Sequence, residues 1–434
     1  KMISTNGGVV STSTSARIRS SSFTPTDGRH YRIVASSTNA GSTYDIYNAK
    51  IIVDQDLGWY NSDWSYRKAI TIDNTKVSGT ADLTNFPVLV DLTDSNLASN
   101  AQTDGDDILF TTSDGKTRAY HEIEKYANGV GELIAWVKVP TLDGDSDTTL
   151  YMYYGNSATS SEQTAPWVWD SNYKGVWHLG ETSGTVSNDS TVNGYNGTKT
   201  SATQPANTSS GRIDGAQSYD GTDMYIRLPN NSDLQMNQDD SMTIEAWVKI
   251  NSLTTDRLIV GYDNNDNLDG DAPSARNLYD MGVSTAGKFY IDFGPSSGLT
   301  SATSVASLAI STFYHVVMVR DVASDVARIY INGAQDLSVT DVTTGSWNTT
   351  GQYPLIGRYN NLSSAYFDGI MDEVRLSATA RSVDWITTEY NNQNATSTFY
   401  TIGTQENKPT GTFTKVEPQY LLANTKLASG TGLQ

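Results

Sequence analysis

The chain has 434 residues, with 29 Lys and Arg against 48 Asp and Glu, a formal charge of −19 when its four His are neutral. Without a basic cluster that balance excludes a nucleic-acid backbone or an anionic membrane as partner, and no apolar stretch approaches the roughly 20 residues that span a bilayer. The absence of Cys removes disulfide frameworks, thiolate metal sites and Cys nucleophiles, and the abundance of Gly (35) and Tyr (25) favours sheets and turns.

Residues 1–56 open on a Ser/Thr/Gly-rich lead without an export signal. Ala16 and Ile18 alternate with Arg17 and Arg19, and 31–35 and 44–53 alternate likewise. Three or four strands are expected, too few for a closed sandwich. From Trp59 and Trp64 onward, period-two segments such as 66–72 and 86–92 are separated by Asp114-Gly115, Asn128-Gly129 and Asp143-Gly144. This is the spacing of an antiparallel β-sandwich over 57–165. The same pattern fills 166–406, through 242–250, 314–320 and 327–331. Asn332-Gly333 after the last of these is the strongest short hairpin signal. One short helix is predicted, with Ser382 as N-cap and Val383, Ile386 and Tyr390 at spacings of three and four. Residues 407–434 read as a linker and the opening strands of a further β unit. Both ends of the chain read as cut edges. The expected fold class is all-β: tandem antiparallel β-sandwiches with one short helix.

Trp64-Ser65-Tyr66-Arg67-Lys68, Asn85-Phe86-Pro87-Val88, Asp106-Asp107-Ile108-Leu109-Phe110, Ala135-Trp136-Val137-Lys138 and Tyr153-Tyr154-Gly155-Asn156 together resemble a prokaryotic surface-protein domain family of unknown function. Val176-Trp177-His178-Leu179, Tyr219-Asp220-Gly221, Glu245-Ala246-Trp247 and Phe367-Asp368-Gly369-Ile370-Met371-Asp372-Glu373-Val374-Arg375 resemble a laminin-G-like, concanavalin A-like sandwich. Segments of 1–56 and 413–434 resemble the closing and opening strands of a jelly-roll unit in repetitive surface proteins. The laminin-G resemblance implies calcium on the convex side, held by Asp372 with help from Asp220 and the strand near Trp177 and His178. Simple alternation puts Asp372 on one face with Ile370 and Val374, and Met371, Glu373 and Arg375 on the other. An Asp among apolar neighbours requires a cation or backbone donors. The acidic loop 263–271, with Asp263 and Asp269, is a second candidate for calcium, although Arg276 stands where an EF-hand needs Glu.

Retaining glucanases of this fold carry a Glu-x-Asp-x-Glu type of run, which is missing here. Glu122 and Glu124 come nearest, and they are expected on a solvated strand face. His30, His121, His178 and His315 are scattered, and no Gly-x-Ser-x-Gly elbow exists. No catalytic residue is assigned, and the protein is expected not to be an enzyme. Trp136 and Trp247 are expected in cores. Trp347, Asn348, Tyr359 and Asn360 are the candidates for an exposed glycan platform. The expected role is an extracellular or cell-surface structural module of a repetitive or filament protein. It would join other copies of itself, or adjacent repeats, through pairing of 413–434 with 1–56. The alternative is a carbohydrate-binding adhesin with glycans as partners.

Overall fold

The computed structural model describes residues 2–3, 9–11, 58–199, 204–235, 238–262, 279–294, 298–344, 353–359 and 365–409. The chain divides into two units, Lys1–Gly58 with Pro409–Gln434, and Trp59–Lys408. In the first, the described part is the antiparallel pair Met2–Ile3 and Val9–Ser11. The other strands expected in 1–56, and those expected in 413–434, lie outside the described residues.

Within Trp59–Lys408 the alternating segments form two sandwiches. In the first, Tyr66–Ile72, Thr148–Tyr154, Leu109–Thr112 and Arg118–Ala119 pair in that order. They face a three-stranded sheet of Leu83–Thr93, Glu132–Leu142 and His121–Ala127. The inward positions of Tyr66–Ile72 are Ile70 and Ile72, which meet Val88, Val90, Phe110, Ala135, Val137 and Met152 in the core. The second sandwich has two eight-stranded antiparallel sheets. One centres on Met242–Ile250, flanked by Phe313–Asp321 and Asp368–Ser377. The other includes Arg257–Tyr262, Tyr279–Val283 and Phe289–Phe293. Between them lie Ile244, Val248, Met281, Ile291, Met318, Met371 and Val374. Asn332 and Gly333, both with positive φ, make the expected hairpin between Val326–Ile331 and Ala334–Thr340.

The expected helix is Val383–Asn394, and the Ser382 hydroxyl accepts the Trp385 N–H. Three more short helices occur among the described residues, Ser95–Asn100, Ser232–Gln235 and Thr396–Phe399. At four to six residues they are too short to print a helical period on the sequence.

Two features depart from the sequence reading. Tyr400–Ile402 and Glu406, assigned to the second sandwich, and Asn407, assigned to the linker, pair with Tyr66–Ile72 of the first. The two sandwiches therefore share a strand-paired closure, which local patterning cannot reveal because the partners lie more than 300 residues apart. The second departure is a bulge. Glu245 stands opposite Arg375 while Trp247 stands opposite Asp372, so one extra residue is inserted, and Glu373 takes φ 53°. The bulge resets the alternation. Met371, Val374 and Leu376 all face the sandwich core, and Glu373 and Arg375 face the first sandwich.

Candidate functional site

The bulged strand Asp368–Ser377 aims its charged residues into a closed junction between the sandwiches. The His178 ring Nδ1 lies 2.7 Å from Glu373 Oε1, and Glu373 Oε2 accepts the Arg375 Nη2 proton at 2.6 Å. The Arg375 guanidinium lies 4.4 Å from the Trp136 ring centroid and 5.0 Å from that of Trp169. It also donates to Glu389 on the helix and faces Glu245 at 3.6 Å. Glu122 accepts from Trp169 Nε1 at 3.0 Å and from the Ser190 hydroxyl at 2.6 Å. Glu124 accepts from Trp136 Nε1 at 3.0 Å.

Glu122 and Glu124 are thus not solvated. Their side chains keep 12% and 7% of their exposure, because the strand Tyr173–Trp177 and its following residue His178 close over them. Sequence reading placed them outward because their cover comes from the other sandwich. Glu122, Glu124, His178 and Glu373 line neither of the two surface grooves, of about 580 and 350 Å³.

Burial opposes every charge at the junction, and the neighbours decide which survive. Burial pulls His178 down, but Glu373, Glu124 and Glu122 outweigh it and hold the imidazolium well above its usual range. Burial pushes Glu373 up, and the His178 and Arg375 charges more than reverse that, leaving it ionised. For Glu124 burial prevails over His178, and its carboxyl is pushed up to about 8. Burial and the adjacent Glu245 raise Glu389 to about 8 as well. Burial lowers His315 to about 4. Glu124, His178 and Glu373, and separately Glu245, His315 and Glu389, each bring three donor atoms within 4.8 Å of one another. Each set already has a cation against it, His178 itself in the first and Arg375 in the second.

A pH dependence follows. The folded state raises the Glu389 pKa above its unfolded value, so the stability from its neutral form is complete below about pH 4.5 and is lost as pH rises through 8. Glu389→Gln, which keeps a donor towards Glu245, is expected to remove that loss. Relative to the wild type it should gain up to about 4 kcal/mol between pH 5 and 9, since each tenfold change in proton affinity is worth about 1.4 kcal/mol and the carboxyl is raised from 4.5 to about 8. Urea denaturation across that range measures it, and parallel stability curves would count against it. His315 acts oppositely, since its stabilisation is lost as pH falls from 6.5 towards 4.

Of the residues expected to bind calcium, Asp372 and Asp220 are described, and each engages separate partners. Asp372 Oδ2 accepts the backbone N–H groups of Arg212 (2.6 Å) and Ile213 (2.8 Å), the backbone-donor solution for a buried Asp. Asp220 accepts from the Thr222 N–H and hydroxyl in its own exposed turn. In register it stands opposite Asp368, four residues along the strand from Asp372. Asp263 and Asp269 lie outside the described residues, as do Trp347, Asn348 and Asn360. Trp136 and Trp247 are buried as expected.

Tyr359 is described, and it marks the outer face of the second eight-stranded sheet. Its hydroxyl is 2.9 Å from that of Tyr290. Tyr290 and Asp292 alternate with the core residues Phe289, Ile291 and Phe293, so they point away from the sandwich interior. A Cβ at Gly282 would lie 2.4 Å from the Tyr290 hydroxyl, and one at Gly261 would lie 2.5 Å from Asp280 Oδ1. The two glycines therefore let Tyr290 and Asp280 lie close against the sheet. Beside them Arg358 sits between the rings of Tyr225 (5.0 Å) and Tyr366 (5.3 Å). Burial raises both Tyr290 and Tyr359, so their hydroxyls stay protonated and can donate. Sequence reading missed Tyr290, although its place between Phe289 and Ile291 was a legible outward signal.

Two known families match successive parts of the chain, and the first match runs past residue 165 into the strand Tyr173–Trp177 of the second sandwich. A family described as a domain of unknown function (DUF2341) matches residues 104–177, and the concanavalin A-like lectin/glucanases superfamily (Laminin_G_3) matches 220–387. The chain carries a DUF2341 domain followed by a concanavalin A-like domain. Among solved structures it is similar to the binding domain of Paraclostridial Mosquitocidal Protein 1, at 12% identity over 50% of this chain and 52% of that one, with a TM-score of 0.40. It is also similar to Domain 4 of the extracellular arabinanase AbnA from Geobacillus stearothermophilus, in complex with arabinotriose, at 22% identity over 50% and 97%, with a TM-score of 0.37. A third is the botulinum neurotoxin serotype G binding domain, at 14% identity over 48% and 49%, with a TM-score of 0.38. The chain spans about half the length of the two toxin domains. No curated protein matches it. No helix among the described residues is long and apolar enough to cross a membrane.

Proposed function

We propose that Trp59–Lys408 is a non-catalytic binding module displayed by an extracellular surface protein, with a carbohydrate as ligand on the outer sheet face around Tyr290 and Tyr359. The observation that carries the display role is where the chain enters and leaves this unit. The Lys408 N–H donates to the Ser65 carbonyl at 2.8 Å, the Lys408 ammonium donates to the Ser62 carbonyl at 2.6 Å, and Arg67 pairs with Glu406 at 2.7 Å. A spacer in a filament needs its two connections at opposite poles, so that each module adds its own length. Here the two ends of Trp59–Lys408 are side by side, so the module adds little span between its connections, which suits ligand capture better than spacing.

The carbohydrate class follows from a face that offers Tyr rings, protonated Tyr hydroxyls and Asp292, on a domain of a superfamily described as lectins and glucanases. A glycan array with the full chain is the test. Tyr359→Ala and Tyr290→Ala are expected to weaken the retained glycans at least tenfold, and silence of the whole array would overturn the reading.

A filament role, with 413–434 completing the sheet of a neighbouring copy, is the competing reading. Deleting 413–434 would abolish polymers visible by electron microscopy under that reading and leave glycan binding intact under ours.

A further inference from the structure

The first sandwich carries an exposed aromatic pair that neither the junction nor the outer sheet face uses. Trp167 is 60% exposed and Tyr120 45%, with ring centroids 6.3 Å apart and planes inclined by 35°. Both are fixed from behind. Thr164 donates its N–H to the His121 carbonyl at 2.8 Å and its hydroxyl oxygen accepts the His121 N–H at 3.0 Å. Pro166 stiffens the single 3-10 turn Ala165–Trp167 that presents the indole. The backbone N–H of Lys138 binds the Tyr120 carbonyl at 2.9 Å. The pair is thus preorganised, and little ordering remains to oppose binding.

Lys138 supplies the second element. Its ammonium lies 5.9 Å from the Tyr120 ring centroid and donates to the Trp167 carbonyl at 3.0 Å. It makes no ion pair among the described residues, and Asp170, the nearest acidic influence on it, is engaged by both terminal nitrogens of Arg381 at 3.1 Å. An ammonium with unused donors, partly stripped of water and held beside the Tyr120 ring and the Trp167 carbonyl, is unusual in a chain of charge −19, where carboxylates are plentiful. Rings that offer an apolar face, beside a cation that lacks an anion, match a ligand with one flat apolar surface and one carboxylate.

We propose that Tyr120, Trp167 and Lys138 form a binding site for a hexuronate, a pyranose ring bearing a carboxylate. The pyranose lies against the indole and phenol, and its carboxylate meets the Lys138 ammonium. The site belongs to the DUF2341 domain and does not depend on the face around Tyr359.

The test titrates the full chain with trigalacturonate and with uncharged galactotriose, followed by tryptophan fluorescence and calorimetry. Trigalacturonate is expected to bind at least tenfold more tightly than galactotriose. Trp167→Ala should reduce its affinity at least tenfold without moving the melting temperature, because the side chain is exposed. Lys138→Gln should bring the two sugars to within twofold of each other. Tyr359→Ala should leave both titrations unchanged, which separates failure here from failure of the outer-face reading. Absence of trigalacturonate binding, equal affinity for both sugars in the wild type, or full retention by Trp167→Ala overturns the proposal.

Discussion

Arg375→Met is expected to destabilise Trp59–Lys408 by about 3–5 kcal/mol at pH 8, the usual cost of removing one partner from a buried ion network. The guanidinium is 1% exposed and faces Glu373, Glu389 and Glu245 together. Met fills much of the same space, so the loss is electrostatic, together with the stacking on Trp136 and Trp169. The carboxylates left behind can relieve their repulsion by taking up protons. The cost should therefore shrink at pH 5, and a urea midpoint difference that is the same at pH 5 and pH 8 would show that Arg375 acts by packing alone.

Trp136→Ala is expected to cost a similar amount, about 3–5 kcal/mol, the range for deleting a buried aromatic. Its indole is fully buried, with ring centroids of Trp169 at 5.5 Å and His178 at 6.0 Å, and its N–H serves Glu124. Removing it opens a void where the first sandwich meets the Arg375 network. Amide hydrogen exchange should quicken first in His121–Ala127 and Tyr173–Trp177, ahead of the distant strands Tyr279–Val283 and Phe289–Phe293. Uniform acceleration across both sandwiches would show that the junction does not open separately from the rest of the unit.

The strands were legible because each carries its own record. Tyr66–Ile72 alternates buried and half-buried residues in step with its sequence, and Asn332-Gly333 sets its hairpin through the positive φ that these residues tolerate. The helix after Ser382 was legible from its cap and spacing. The faces of Asp368–Ser377 were not, because the extra residue is inserted at Glu373, where a turn-seeking Gly or Asn would have announced a left-handed position and Glu does not. Of the glycan candidates, Tyr359 falls beside Tyr290 on one outer face, whereas the exposure of Trp167 is not written in a single residue between two strands.

By itself the sequence determined an all-β chain, two sandwiches in order, their main strands and the DUF2341 and concanavalin A-like assignments. These depend on periodicity and motifs within a few tens of residues, where the Cβ alternation of a strand fixes which side faces a core. Tertiary structure alone decided that Glu122 and Glu124 are buried, that Arg375 gathers three buried acidic side chains, and that the chain leaves the unit beside the point where it enters. The physical reason is that a charge is buried, or a strand edge closed, only by partners brought from elsewhere. His178 lies more than 50 residues from Glu122, and Glu406 more than 300 from Arg67.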